Sequence, residues 1–290
     1  MPVERLNVDA AIIFADIMLP LHSLGKNFEL VQGVGPVIES PVRTPGDVDS
    51  IPVRDPAEDV SYLYDAIRQT RDDLSPSKPL IGFAGAPFTL ACYLIQGKPS
   101  RTYGNVKKFI YRHPRAFHRF IEKICGVIER YLEKQFLAGA DILQLFDSWV
   151  GILSPADYRE YIFPHVKRLF SRLPEQTPTI YFGTGSASLL NLMANTGPDC
   201  LGVDWRIELK HADERIEREI PLMGNLDPAR MLAPFDSIRP ELDSILHQAE
   251  GLRSHIFNLG HGFHPDTPLE NALSVTQYIK DSTNDRLVSS

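Results

Sequence analysis

Seven short apolar runs, each closed by a glycine or a polar residue and separated by stretches of helical periodicity, narrow the folds open to this chain more than any other feature. They are Ala10 to Phe14 before Asp16, Leu80 to Phe83 before Gly85, Asp141 to Phe146 before Asp147 and Ser148, and Thr179 to Phe182 before Gly183. Then come Cys200 to Val203 before Asp204, Leu222 and Met223 before Gly224 and Asn225, and Ile256 to Leu259 before Gly260 and His261. Each is near-continuously apolar rather than alternating, as parallel strands covered on both faces must be. Between them, Phe117, Phe120, Ile121, Ile124, Val127, Ile128 and Tyr131 repeat at helical spacing after Pro114, and Ser154 with Pro155 supplies a cap and a first-turn proline. Strand and helix in alternation mean an α/β fold. Polar residues gather where the runs end, and barrels build their sites at that end of their strands, so a (β/α)8 TIM-type barrel is expected rather than an open sheet. No Gly-x-Gly-x-x-Gly follows a run, which counts against dinucleotide binding.

A barrel of this type closes with eight strands, and the first of the seven runs begins almost at the chain start. The expectation is that one strand and its helix belong ahead of Met1, leaving residues 1–290 as one barrel domain without them. Residues 20 to 56, punctuated by Gly25, Gly33, Gly35, Pro36, Pro41, Pro45 and Pro52, form a connection longer than most in such a fold, a usual place for a lid or subunit contact.

A hydrophobic share of 43% suffices for a large core, while a net charge of -7 argues against affinity for nucleic acid or an anionic membrane. An anionic ligand would need a local basic pocket. Cys92, Cys125 and Cys200 form no Cys-x-x-Cys pair and are read as buried thiols. The polar N-terminus lacks a signal-peptide core, and no stretch approaches the ~20 apolar residues of a membrane span, so a soluble cytoplasmic protein is expected.

Gly-x-Ser-x-Gly, His-Glu-x-x-His and Walker A patterns are absent, which removes most support for hydrolase and NTPase chemistry. His261 and His264 straddle a run end with no third ligand evident, so no metal is assigned to them. What remains is Asp16, Tyr93, Asp147, Ser148 and His261 at the run ends. Such Asp and Ser residues also serve as helix caps, Asp147 in particular. Phe14, Phe83 and Phe146 sit near the same ends, and aromatic filling of the barrel top competes with a substrate wall as their role.

The blocks Asp9-Ala-Ala-Ile-Ile-Phe-Ala-Asp16, Gly82-Phe-Ala-Gly-Ala-Pro-Phe-Thr-Leu-Ala-Cys-Tyr93, Gln144-Leu-Phe-Asp-Ser148-Trp, Gly202-Val-Asp-Trp205, Gly224-Asn-Leu-Asp-Pro228 and Phe257-Asn-Leu-Gly-His261-Gly resemble the uroporphyrinogen decarboxylase family in order and spacing. The resemblance implies a homodimer of (β/α)8 barrels of haem biosynthesis that needs neither metal nor organic cofactor. It would convert uroporphyrinogen III to coproporphyrinogen III by removing four acetate carboxyls. By the same resemblance, Asp16 faces the pyrrole N–H groups, Tyr93, Ser148 and His261 contact substrate carboxylates, and Phe14, Phe83 and Phe146 line the pocket. The family carries an Arg-Gln-Ala-Gly-Arg block before the point where this chain starts. Without those arginines, the 290 residues are expected to bind so anionic a substrate poorly or to be inactive.

Two other readings stand beside this one. A zinc- and cobamide-dependent methyltransferase of the same fold would need a His-x-Cys pair and a further Cys at strand ends, which the sequence lacks. A non-catalytic barrel subunit would not need Asp16, Tyr93, Ser148 and His261 together.

Overall fold

All seven apolar runs become strands of one parallel sheet, in the order in which they occur along the chain. The structure, a computed structural model, describes residues 2–100 and 102–289, with side chains to residue 283. The strands of the described chain are β1 (Ala11–Ile12), β2 (Phe28–Val31), β3 (Gly35–Ile38), β4 (Leu80–Gly85), β5 (Ile142–Asp147), β6 (Thr179–Gly183), β7 (Cys200–Val203), β8 (Leu222–Leu226) and β9 (His255–Leu259). The large sheet runs β1-β4-β5-β6-β7-β8-β9 with every pair parallel. No ladder joins β1 to β9 among the described residues, so this is a TIM-type α/β sheet of seven strands that stays open on one side.

Side chains alternate across each strand and sort themselves between two cores. Ala11, Leu80, Ala84, Leu143, Leu145, Tyr181, Leu201, Val203, Leu222 and Leu226 point outward into the main core shared with the helices. Ile142, Ile180, Cys200 and Met223 point the other way and form a small cluster inside the curl of the sheet. Beside the opening the inner face is bare, with Ile12 50%, Phe14 91% and Ile256 46% exposed.

The helix at Pro114–Leu137 buries every apolar position that its spacing singles out. Lys123 on its flank donates to the carbonyls of Val48 at 2.9 Å and Ile51 at 2.7 Å, fixing the long connection against it. Ser154 caps the helix Pro155–Tyr161 by accepting from the Asp157 N–H at 3.1 Å.

The connection over residues 20 to 56 holds more order than its punctuation announces. A 3-10 turn spans Leu19–Leu24, β2 and β3 form an antiparallel hairpin, and a helix at Pro45–Ser50 starts from a capping box between Thr44 and Asp47. Gly33 turns the hairpin at φ +76°, a left-handed value that costs glycine little. The hairpin is fastened to the helix Pro87–Gln96: Ile38 N–H donates to the Gly97 carbonyl and Val42 N–H to that of Leu94, both at 2.8 Å, and Arg43 Nη1 reaches the Ile95 carbonyl. No helix among the described residues is long and apolar enough to cross a membrane.

Candidate active site

Four of the positions read from the sequence stand on segments that leave the C-terminal ends of strands, and so meet one rim of the sheet. Asp16 follows β1. Its Oδ1 accepts from the Met18 N–H at 2.8 Å and its carbonyl from the Leu19 N–H, which fixes a tight turn. Gly85 N–H at the end of β4 donates to the Ile17 carbonyl and ties that turn to the neighbouring strand. The half-buried carboxylate keeps Oδ2 clear of hydrogen bonds from described residues.

Tyr93 sits on Pro87–Gln96, the helix that opens directly after β4. Its ring meets those of Tyr103 and Trp149 edge-on, at 6.5 and 6.2 Å between centroids. The Trp149 Nε1 and the Tyr103 hydroxyl lie beside the Tyr93 oxygen without hydrogen-bond geometry. Burial first, and the Asp16 charge after it, raise the Tyr93 pKa, so at neutral pH the phenol is a proton-bearing donor.

Ser148 leaves β5 half-buried, its hydroxyl free of hydrogen bonds to described residues. Asp147 beside it corrects the cap reading. Its side chain caps no helix: it is fully buried and accepts from Thr89 Oγ1 at 2.6 Å and from the Tyr181 hydroxyl at 3.0 Å. Tyr158 donates in turn to Tyr181 at 3.3 Å, and Thr89 Oγ1 accepts from the Trp149 N–H at 3.2 Å. The result is a polar strut under the loop that carries Ser148 and Trp149. Burial lifts the Asp147 pKa to about 6, against the pull of the Thr89 and Tyr181 hydrogen bonds.

His261 follows β9 at the opposite side of the rim. Its ring stands edge-on to Phe146 at 5.5 Å and to Phe182 at 6.3 Å, and those two phenylalanines stack at 4.5 Å. Partial desolvation of the ring and then the positive charge of Arg206 lower its pKa. At neutral pH His261 is therefore a neutral imidazole, not the cation that the sequence alone allows.

The aromatic positions divide. Phe146 joins His261, and Phe83 is buried on β4, whereas Phe14 is exposed beside the opening and makes no ring contact with the others among the described residues. Phe182, given no site role from the sequence, completes the wall; it precedes Gly183 at a strand end just as Phe146 precedes Asp147. The buried Asp204 and the half-exposed Arg206, beyond β7, were missed as well.

Cys92, Cys125 and Cys200 are free and buried. Among the described residues no three His, Cys, Asp or Glu side chains gather closely enough to hold a metal ion.

A sequence profile of the uroporphyrinogen decarboxylase (URO-D) family matches residues 1–282. The chain is 46% identical over 281 residues to uroporphyrinogen decarboxylase of Carboxydothermus hydrogenoformans, covering 97% of this chain and 80% of that one. It is 48% identical over 282 residues to uroporphyrinogen decarboxylase of Thermus thermophilus, covering 97% and 82%. Among solved structures, a methyltransferase from Methanosarcina mazei superposes with a TM-score of 0.84 at 20% identity, over 97% of this chain and 82% of that one, a likeness of fold.

Proposed function

The chain belongs to the uroporphyrinogen decarboxylase family and is a carboxy-lyase of that kind, and from this premise we propose that Asp16 is its catalytic carboxylate, with Tyr93, Ser148 and His261 as hydrogen-bond donors to the acid side chains of uroporphyrinogen III. The observation that supports the reading is that the segments carrying these four residues all leave the C-terminal rim of one sheet, where the Asp16 charge reaches Tyr93 and the rings of Phe146 and Phe182 pack against His261. Strand alternation puts Phe83 and Phe14 toward the same inner face, Phe14 exposed beside the opening, and we read both as further surface for the substrate.

Loss of carbon dioxide from an acetate arm leaves an electron pair that must be accommodated. Many decarboxylases hand it to a bound cofactor. Here the substrate can accept it. Protonation of a pyrrole α-carbon gives a cationic iminium; the C–C bond to the carboxylate breaks and its electrons neutralise that cation as an exocyclic double bond. A proton added at the exocyclic carbon gives the methyl group, and loss of the α-proton restores the ring. A fixed carboxylate beside the ring N–H groups interacts more strongly as the ring becomes positive, so it lowers the barrier more than it tightens binding. Asp16 suits this task, because the Met18 N–H orients one oxygen and leaves the other available. Tyr93 and a neutral His261 donate without themselves carrying charge. Four such cycles give coproporphyrinogen III, with no metal or organic cofactor called for by the chemistry.

The protein is further proposed to act in the cytoplasm as a homodimer, with neither nucleic acid nor membrane as partner. The exposed Leu30, Val31 and Val34 of the hairpin would suit a subunit contact. Light scattering at twice 32.6 kDa would support the dimer, and a mass of one chain would exclude it.

Incubation of the full gene product with uroporphyrinogen III, followed by chromatographic separation by carboxyl number, tests the assignment; unchanged substrate overturns it. Asp16→Asn should lower kcat about 100-fold to 1000-fold while substrate binding changes far less, the pattern of a group that acts in the transition state.

A further inference from the structure

Tyr93, Ser148 and a neutral His261 are donors without charge, whereas the substrate assigned above carries eight carboxylates. A cation held at the rim by its own scaffold therefore draws notice. Arg206 follows β7, its guanidinium 4.0 Å from the centre of the Trp205 ring and its side chain 49% exposed. Nη1 donates to the Asp204 carboxylate. That carboxylate is 1% exposed and has two further donors, the Gly185 N–H from the end of β6 at 2.6 Å and the Arg206 N–H at 3.1 Å.

The turn itself is stapled from the next strand, because Asn225 of β8 donates to the carbonyls of Asp204 at 3.0 Å and Ile207 at 2.6 Å. From the far side comes Gly260, packed so closely that a Cβ there would stand 2.6 Å from the Trp205 nitrogen and 3.1 Å from its ring. Only glycine fits that approach, and it sets His261, the next residue, against the Asp204 to Arg206 turn. The charge of Arg206 is felt at the His261 ring.

Counter-charge for Asp204 asks little of a guanidinium. One N–H of five serves it, and the Arg206 side chain makes no other hydrogen bond to described residues. Stacking on Trp205 fixes the plane of the fork, and a planar fork with free N–H groups is the shape that a carboxylate accepts bidentately.

We propose that Arg206 is a substrate-binding residue that grips one acid side chain of the macrocycle beside His261. The inference rests on the decarboxylase reading and extends it to a side chain outside the set read from the sequence. Arg206 touches no reacting carbon in this role. It anchors a peripheral carboxylate and so fixes which pyrrole is presented to Asp16.

The test uses the full gene product and its Arg206→Gln and Arg206→Lys variants. Uroporphyrin, the fluorescent oxidised octacarboxylate, serves as the binding probe and uroporphyrinogen III as substrate. Arg206→Gln should raise both Kd and KM about tenfold, with kcat within about threefold of the parent. Arg206→Lys, which keeps the charge but not the fork, should recover only part of the loss. Added salt should weaken binding to the parent more than to the glutamine variant. The His261 imidazole, followed by its proton resonances, should titrate higher in Arg206→Gln, a shift that a purely structural role at a distance would not produce.

Unchanged Kd and KM in Arg206→Gln, with an active parent, overturn the proposal while leaving the family function intact. Full recovery in Arg206→Lys overturns the bidentate grip, as does a loss confined to kcat. An inactive parent that does not bind the probe sinks the decarboxylase reading instead. If the glutamine variant fails to fold, Arg206→Lys carries the test, since its ammonium would still face Asp204, and a KM equal to the parent's then overturns the proposal.

Discussion

At the scale of single residues, burial decides more than residue type. Asp147 and Asp16 both follow an apolar run, yet one is sealed beneath the rim and the other keeps an open oxygen upon it. The sealed carboxyl has a pKa of about 6 in the folded chain against an ordinary 3.8, so over that range the folded state binds more protons than the unfolded one. Stability contributed by this group must then fall as pH rises from about 4 to about 6 and remain lower above that. Asp147→Asn should flatten this part of the curve, as urea unfolding at pH steps from 4 to 7 would reveal; an unaltered slope would mean that the carboxyl titrates normally. Nothing local to Asp147 announces this role, because the partners Thr89 and Tyr181 lie 58 and 34 positions away. Arg206 escaped notice for another reason. A lone arginine after a Gly-x-Asp-Trp stretch has no periodic signature, and only the approach of Gly260 from β9 reveals what it stands beside.

At the scale of elements, the chain is easiest to read where packing is two-sided. Runs such as Asp141 to Phe146 announce β5 because a strand covered on both faces has no room for polar alternation. The helix Pro114–Leu137 is equally plain, and two substitutions measure what secures such elements. Phe117→Ala should cost about 3–5 kcal/mol by opening a cavity in the main core, and Ser154→Ala about 1 kcal/mol by stripping the cap from Pro155–Tyr161. Denaturant midpoints would rank them; equal losses would contradict the packing described. The hairpin of β2 and β3 went unread since it is short, half exposed and made of residues that also suit a loop. What gives it form is distant: the carbonyls of Leu94 and Gly97 that receive Val42 and Ile38.

For the molecule as a whole, the helix-facing side of the sheet holds the main core and the inner face holds a smaller cluster beside the candidate site. The three thiols give a direct probe of how well both are sealed. Cys92 and Cys125 are buried and far less acidic than a free thiol, and burial pushes Cys200 up to about 12. None should react quickly with a disulfide reagent at pH 8 in the native protein, and all three should do so after denaturation. A fast-reacting thiol in the native state would show that the interior breathes. The same tight construction couples distant parts. Since carbonyls at the end of the helix Pro87–Gln96 accept from the hairpin and the segment that trails it, Tyr93 and the outlying arm are tied together by hydrogen bonds. A displacement of the arm would therefore be passed to the phenol, and a shift of the phenol would be passed back to the arm.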